Sequence, residues 1–151
     1  MFGEEVFPVC SPLYLGRRKI PFSLDQLKAA NLLDMKVDNQ PWYDWNSWFE
    51  AAGSATQLAP RILYFDSYPL VVGAALAGQG ICLSWAGLLD GFLASGALVR
   101  LYPRSMPSPR GYFVTHEMGL PPNAHARAIA RWLLDSAMRG DAGQSVMPAK
   151  E

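Results

Sequence analysis

Residues 65–85 read F-D-S-Y-P-L-V-V-G-A-A-L-A-G-Q-G-I-C-L-S-W, and the apolar residues 62–65 run directly into them. The pattern predicts a strand at 62–65, a short polar turn, a helix of small apolar residues, a Gly-x-Gly turn and a second apolar strand. A strand–helix–strand unit places a helix on one face of a parallel or mixed sheet. Ligands in such sheets bind beyond the carboxyl ends of strands, near helix amino termini. The turn Asp66-Ser67-Tyr68 stands at such a place. Unpaired N–H groups and the positive end of the helix dipole attract carboxylates and other anions there, and Ser67 and Tyr68 add hydroxyls. The plainer role for Asp66 or Ser67 is an N-cap, worth about 1 kcal/mol. One turn has room for both roles.

Gly78-Gln79-Gly80 follows the helix instead of opening it. It is therefore a C-cap and turn, unlike a dinucleotide-binding fingerprint, which lies between a strand and the next helix.

Outward from this unit, residues 5–10 (E-V-F-P-V-C) read as a strand closed by Ser11-Pro12. Ser23 caps a short helix in which Leu24 and Leu27 share a face. Residues 31–35 read as a strand, and residues 36–41 as a loop. In W-Y-D-W-N-S-W-F-E-A-A-G (residues 42–53), Trp45, Trp48, Phe49 and Ala52 fall at helical spacing, with Gly53 just past the end. That spacing assigns Trp45, Trp48 and Phe49 to a core or subunit contact, against the alternative of a stacking platform formed with Trp42 and Tyr43. Residues 86–94 read as a helix ended by Gly96, and residues 97–102 as a strand. Residues 104–110 (R-S-M-P-S-P-R) read as an irregular connector, residues 111–116 as a strand and Asn123 as the cap of a final helix with Ile129, Trp132 and Leu133 on one side. Residues 139–151 read as a mobile tail.

Composition narrows the function. The 151 residues carry 13 basic and 13 acidic side chains and are half hydrophobic. A free-standing nucleic-acid binder shows a basic excess or stripe, which is missing here. Cys10 and Cys82 fit no metal or redox spacing and read as buried thiols in a reducing compartment. No secretory signal or membrane-spanning run is present, so the expected location is the cytoplasm. His116-Glu117 lacks the second histidine of a zinc-protease motif, and Ser84 lacks a nucleophile elbow. Asp34 and Asp38 read as solvated. The expectation is no catalysis, no cofactor and no metal.

Taken in order, E-x-V-F-P-V-C-S-P (4–12), S-L-D-Q-L (23–27), W-x-x-W-F-x-A-x-G (45–53), F-D-S-Y-x-L-V-V-x-A-A-L-A-G-Q-G-I-x-L (65–83), G-x-L-V-R (96–100) and P-R-S-M-P-S-P-R-G-Y-F (103–113) resemble the effector-binding domain of LysR-type transcriptional regulators. The nearest resemblance is to the branch of the glycine-cleavage activator and the β-lactamase regulators. It covers roughly residues 4–138.

The resemblance implies an α/β fold of the type II periplasmic-binding-protein kind. Residues 1–102 would form the second subdomain, residues 103–110 the crossover or hinge, and residues 111–138 the closing strand and helix of the first subdomain. It implies an effector in the cleft, an amino acid, a peptide fragment or another small carboxylate, held by Asp66, Ser67 and Tyr68 with Ser11 and Tyr112 as further contacts. It also implies assembly with copies of itself or with an intact paralogous regulator. DNA binding would belong to a winged helix-turn-helix upstream, absent from this sequence, so the chain is expected to be the C-terminal part of a regulator. The alternatives are a remnant acting only through protein–protein contact and a solute-binding protein of related fold.

Overall fold

The computed structural model describes residues 2–36, 42–54, 61–112 and 123–138. In chain order the elements are β1 (Phe2–Cys10), α1 (Pro12–Leu15), α2 (Leu24–Lys28), β2 (Leu32–Met35), α3 (Trp45–Ala51), β3 (Ile62–Phe65), α4 (Tyr68–Leu76), β4 (Cys82–Trp85), α5 (Asp90–Ala94), β5 (Val99–Arg100), β6 (Met106–Tyr112) and α6 (Ala124–Met138). Contacts divide the chain into two units, residues 5–108 and residues 1–4 with 109–151.

In the first unit β1 lies antiparallel between β4 and β5, with Val6 opposite Trp85 and Val9 opposite both Cys82 and Arg100. β2 and β3 pair in parallel, from Leu32 against Ile62 to Met35 against Phe65. Two bonds join this pair to the start of β4: Leu33 N–H donates to the Ile81 carbonyl at 2.8 Å, and Ile81 N–H donates to the Asn31 carbonyl at 2.9 Å. The strands therefore run β3-β2-β4-β1-β5, a mixed sheet in which β1 opposes its neighbours. The β3–α4–β4 crossover passes over β2, so the carboxyl ends of β2, β3 and β4 lie at one edge, where α4 begins.

Period-two alternation splits the core between the two faces of the sheet. Val6, Cys10, Leu32, Ile81 and Leu83 join Leu27 and the α3 residues Trp45, Trp48 and Phe49 on one face. Phe7, Val9, Leu33 and Cys82 join Val71, Val72 and Ala75 of α4 on the other. Cys10 and Cys82 thus fall on opposite faces as free, buried thiols. The helical spacing of Trp45, Trp48 and Phe49 is realised as three fully buried rings. Their polar atoms are satisfied: Trp45 Nε1 donates to the Leu33 carbonyl at 2.9 Å and Trp48 Nε1 to the Val6 carbonyl at 3.0 Å. Ser23 forms the expected cap, reciprocated by Gln26.

Gly78 and Gly80 each have a physical reason. Gly78 takes φ +77° at the end of α4. A Cβ on Gly80 would stand 2.6 Å from the Asn31 carbonyl oxygen, so the turn into β4 needs a bare backbone there.

Three expectations need correction. Residues 104–110 are not irregular throughout, because β6 begins at Met106 and pairs with β1. Pro107 and Pro109 are two apart, so their missing N–H groups fall on the same strand edge, and the Pro107 carbonyl on that edge accepts from Tyr43 Oη at 2.9 Å instead. The helix expected at 86–94 is confined to α5, because Gly87 takes φ +85° and its N–H donates to Asp90 Oδ1. The strand expected at 97–102 shrinks to β5. There the Arg100 side chain turns along the following segment, donating to the carbonyls of Tyr102 and Pro103 and to Ser105 Oγ.

In the second unit α6 is capped by Asn123, whose Oδ1 accepts from Ala126 N–H at 2.8 Å. Ile129, Trp132, Leu133 and Leu134 are exposed on it. Most of the loop expected at 36–41, residues 113–116 of the expected strand, His116-Glu117 and the tail lie outside the described residues.

Candidate functional site

α4 opens at Tyr68, with Ser67 in the N-cap position and extended (φ −153°, ψ 151°). The other polar N-caps all accept a backbone N–H: Ser11 from Tyr14, Ser23 from Gln26, Asp44 from Ser47 and Asn123 from Ala126. Ser67 does not. Its half-buried hydroxyl makes no capping bond, and the last turn before the helix presents it at the carboxyl end of β3. Asp66 beside it is exposed.

Tyr68 plays a different part from the hydroxyl donor expected. Its Oη donates to the Leu83 carbonyl at 3.0 Å, and its ring meets Trp85 edge-on at 5.3 Å. The one phenolic proton is therefore committed to β4, and the ring serves as a wall. That wall bounds a cavity of about 90 Å³. Asp34 and Met35 line it from the end of β2, Trp42, Tyr43 and Asp44 from the approach to α3, Val71 from α4 and Leu83 with Trp85 from β4.

Asp34 is not the solvated residue expected. It is half-buried, with Oδ1 accepting from Met35 N–H at 2.8 Å and Oδ2 from Trp45 N–H at 3.3 Å. Burial pushes its carboxyl up from 3.8 to about 6; the two N–H bonds work against this and the nearby Asp44 adds to it. Trp85 Nε1 is buried with no hydrogen-bond partner among the described residues.

Ser11 stands elsewhere. Val6 of β1 faces the end of β4 and Val9 faces its start, so Ser11 lies past the start of β4, roughly 15 Å along the strand from the cavity edge. It is buried and caps α1, with its Oγ accepting from Tyr14 N–H. Register thus makes Ser11 a capping residue and removes it from this surface. Tyr112 is the last residue of β6 and belongs to the second unit; its side chain lies outside the described residues.

Of the consecutive residues Asp66, Ser67 and Tyr68, Tyr68 lines this cavity, together with Asp34, read from the sequence as solvated, and Asp44 and Trp85, which the sequence reading did not single out as site residues. One signal was present: a carboxylate inside the short apolar strand N-L-L-D-M. A larger cavity, about 260 Å³, opens at the opposite edge between Asn31, Arg61 and Gln79, away from the start of α4.

Residues 1–138 match the LysR substrate binding domain family. Among curated proteins the chain is 29% identical over 144 residues to the HTH-type transcriptional regulator PerR of Escherichia coli, covering 91% of this chain and 44% of that protein. It is 28% identical over 137 residues to the HTH-type transcriptional activator AmpR of Citrobacter koseri, covering 91% and 45%. The chain thus spans less than half the length of these relatives.

Among solved structures, the effector domain of AmpR of Pseudomonas aeruginosa superposes with a TM-score of 0.71 at 24% identity, over 94% of this chain and 67% of that one. The AmpR effector binding domain from Citrobacter freundii gives 0.68 at 22%, over 89% and 64%. These likenesses establish the fold. With a family match over residues 1–138, the chain belongs to the LysR substrate-binding domain family.

Proposed function

We propose that this chain is the small-molecule-sensing part of a LysR-type transcriptional regulator, and that Ser67 receives an anionic group of the effector at the amino end of α4. The observation that carries this is the Ser67 hydroxyl, which makes no capping bond and has no hydrogen bond among the described residues. It sits on a helix amino terminus at the carboxyl edge of the sheet, where backbone N–H groups and the helix dipole favour negative charge. Asp66 shapes the turn, and Tyr68 forms the wall of the adjoining cavity.

In this reading residues 1–102 form the second subdomain, residues 103–110 the crossover, and residues 111–138 part of the first subdomain. Effector binding shifts the regulator between two arrangements in proportion to its differential affinity for them. Regulators of this family bind small effectors and assemble into oligomers, and we extend both properties to this chain. DNA binding then belongs to the portion of such a regulator that this sequence does not include. The same reading makes the protein a cytoplasmic regulator without catalytic activity, in the glycine-cleavage-activator branch.

Titration calorimetry with amino acids and small carboxylates tests the reading. Binding is expected, with Ser67→Ala at least fivefold weaker. Equal affinity of wild type and Ser67→Ala for every ligand that binds would contradict it.

A further inference from the structure

We propose that Tyr68 is the positioning residue of the anion site: its hydroxyl bond to the Leu83 carbonyl fixes where Ser67 and the first turn of α4 stand against the sheet. The ligand in this proposal rests on the Ser67 reading above. The positioning rests on a separate observation, a break in the strand ladder.

β2 and β4 run parallel but share a single bridge, Leu32 with Ile81. One step further along a parallel ladder, the Leu33 carbonyl would accept from β4 and the Leu83 carbonyl would accept the Met35 N–H. Side chains take these groups instead. The Leu33 carbonyl accepts from Trp45 Nε1 at 2.9 Å, the Met35 N–H donates to Asp34 Oδ1 at 2.8 Å, and the Leu83 carbonyl accepts from Tyr68 Oη at 3.0 Å. Pairing thus stops short of the carboxyl ends of the two strands. The small cavity opens there, with Asp34 and Met35 on one side and Leu83 and Trp85 on the other. Of the three replacement bonds, the Tyr68 bond is the one made by α4.

The first turn of α4 needs such a tie. Ser67 makes no capping bond, and Pro69 has no N–H to give. The N–H groups of Leu70 and Val71 both turn back to the Ser67 carbonyl at 3.2 Å, which closes the turn on itself and leaves the sheet untouched. Tyr68 is the first helical residue and the neighbour of Ser67. Its hydroxyl reaches β4, and its ring stands edge-on to Trp85 at 5.3 Å. A binding group has to be held within about 0.5 Å by neighbours whose own rotamers are locked. Tyr68 gives Ser67 that support, and its hydroxyl, spent on β4, acts on the ligand only through Ser67.

Tyr68→Phe keeps the ring against Trp85 and deletes the one bond. The experiment is ¹⁵N–¹H correlation spectroscopy on the whole chain, with and without propionate as the anionic probe. In Tyr68→Phe, amide exchange at Val71 is expected to rise at least fivefold relative to Trp48, whose N–H bonds within α3 to the Asp44 carbonyl. Propionate, followed at the amide of residue 67, is expected to bind at least fivefold more weakly. The coupling between the two residues separates positioning from plain stabilisation. Ser67→Ala is expected to cost at least fivefold in the wild-type background and less than twofold in Tyr68→Phe. A purely structural Tyr68 would lower stability and leave the cost of Ser67→Ala equal in both. An equal cost in both, unchanged Val71 exchange, or wild-type propionate affinity in Tyr68→Phe would show the positioning role to be wrong while the Ser67 site stands. If Ser67→Ala costs nothing in the wild-type background, or propionate leaves the residue 67 amide unmoved, the site and its positioning residue fall together. Should Tyr68→Phe not fold, Trp85→Leu, which removes the edge-on partner of the Tyr68 ring, takes its place under the same outcomes.

Discussion

Asp34 Oδ2 accepts the Trp45 backbone N–H at 3.3 Å, which ties the end of β2 to the first turn of α3 across eleven residues. The bond places a carboxylate under the aromatic approach to α3 and makes its proton a reporter of the site. With its pKa raised to about 6 by burial first and by Asp44 second, the folded chain holds this proton where the unfolded chain, near 3.8, has released it.

Stability linked to Asp34 is therefore greatest below about pH 4 and is lost as pH rises toward 6 and beyond. Asp44 faces it from α3 and is present in both proteins compared. Tyr64 and Cys82 titrate above the window, both pushed up mainly by burial. The unfolding free energy of wild type relative to Asp34→Asn is expected to improve by about 1–2 kcal/mol between pH 7 and pH 4.5. Urea denaturation at the two pH values measures it, and a difference independent of pH would remove the assignment.

Gly80 and Gly73 separate backbone approach from helix propensity. An alanine at 80 drives its Cβ against the Asn31 carbonyl that anchors β4 to β2, at an expected cost of about 1–3 kcal/mol. An alanine at 73, inside α4 with open space around the new methyl, is expected to stabilise by about 0.5–1 kcal/mol. Denaturation midpoints of the two variants should move in opposite directions.

Burial pushes the Cys10 thiol up to about 11, with Arg18 opposing, and the Cys82 thiol up to about 12. At pH 8 both stay protonated and shielded. Reaction with a thiol reagent is expected to be about a hundredfold or more slower than in denaturant, and to accelerate only as the chain unfolds. Rapid labelling of either thiol under native conditions would show that one face of the sheet opens.

Local signals made much of the fold readable. The apolar run 62–65, the small-residue helix and Gly78 fixed the β3–α4 unit, and the spacing of Trp45, Trp48 and Phe49 announced a buried helix face. What stayed hidden depends on register and distant partners. Pro107 and Pro109 argued against a strand until their shared edge was visible. For Ser11, only the β1–β4 register shows that it lies past the start of β4, away from the start of α4. Asp34 looked solvated because its partner Trp45 lies eleven residues further along the chain, and Trp85 gave no sign that its indole N–H lacks an acceptor among the described residues. Among the described residues Ser67 is the one polar cap that makes no capping bond with its side chain, a fact visible only against the others.

The most direct test of the account is a crystal structure of the chain with an effector selected by calorimetry. The account expects an anionic oxygen of that ligand within about 2.7–3.2 Å of Ser67 Oγ or the first N–H groups of α4, with the ligand reaching into the Asp34–Trp85 cavity. A ligand seated instead at the opposite edge, between Asn31 and Arg61, would contradict it.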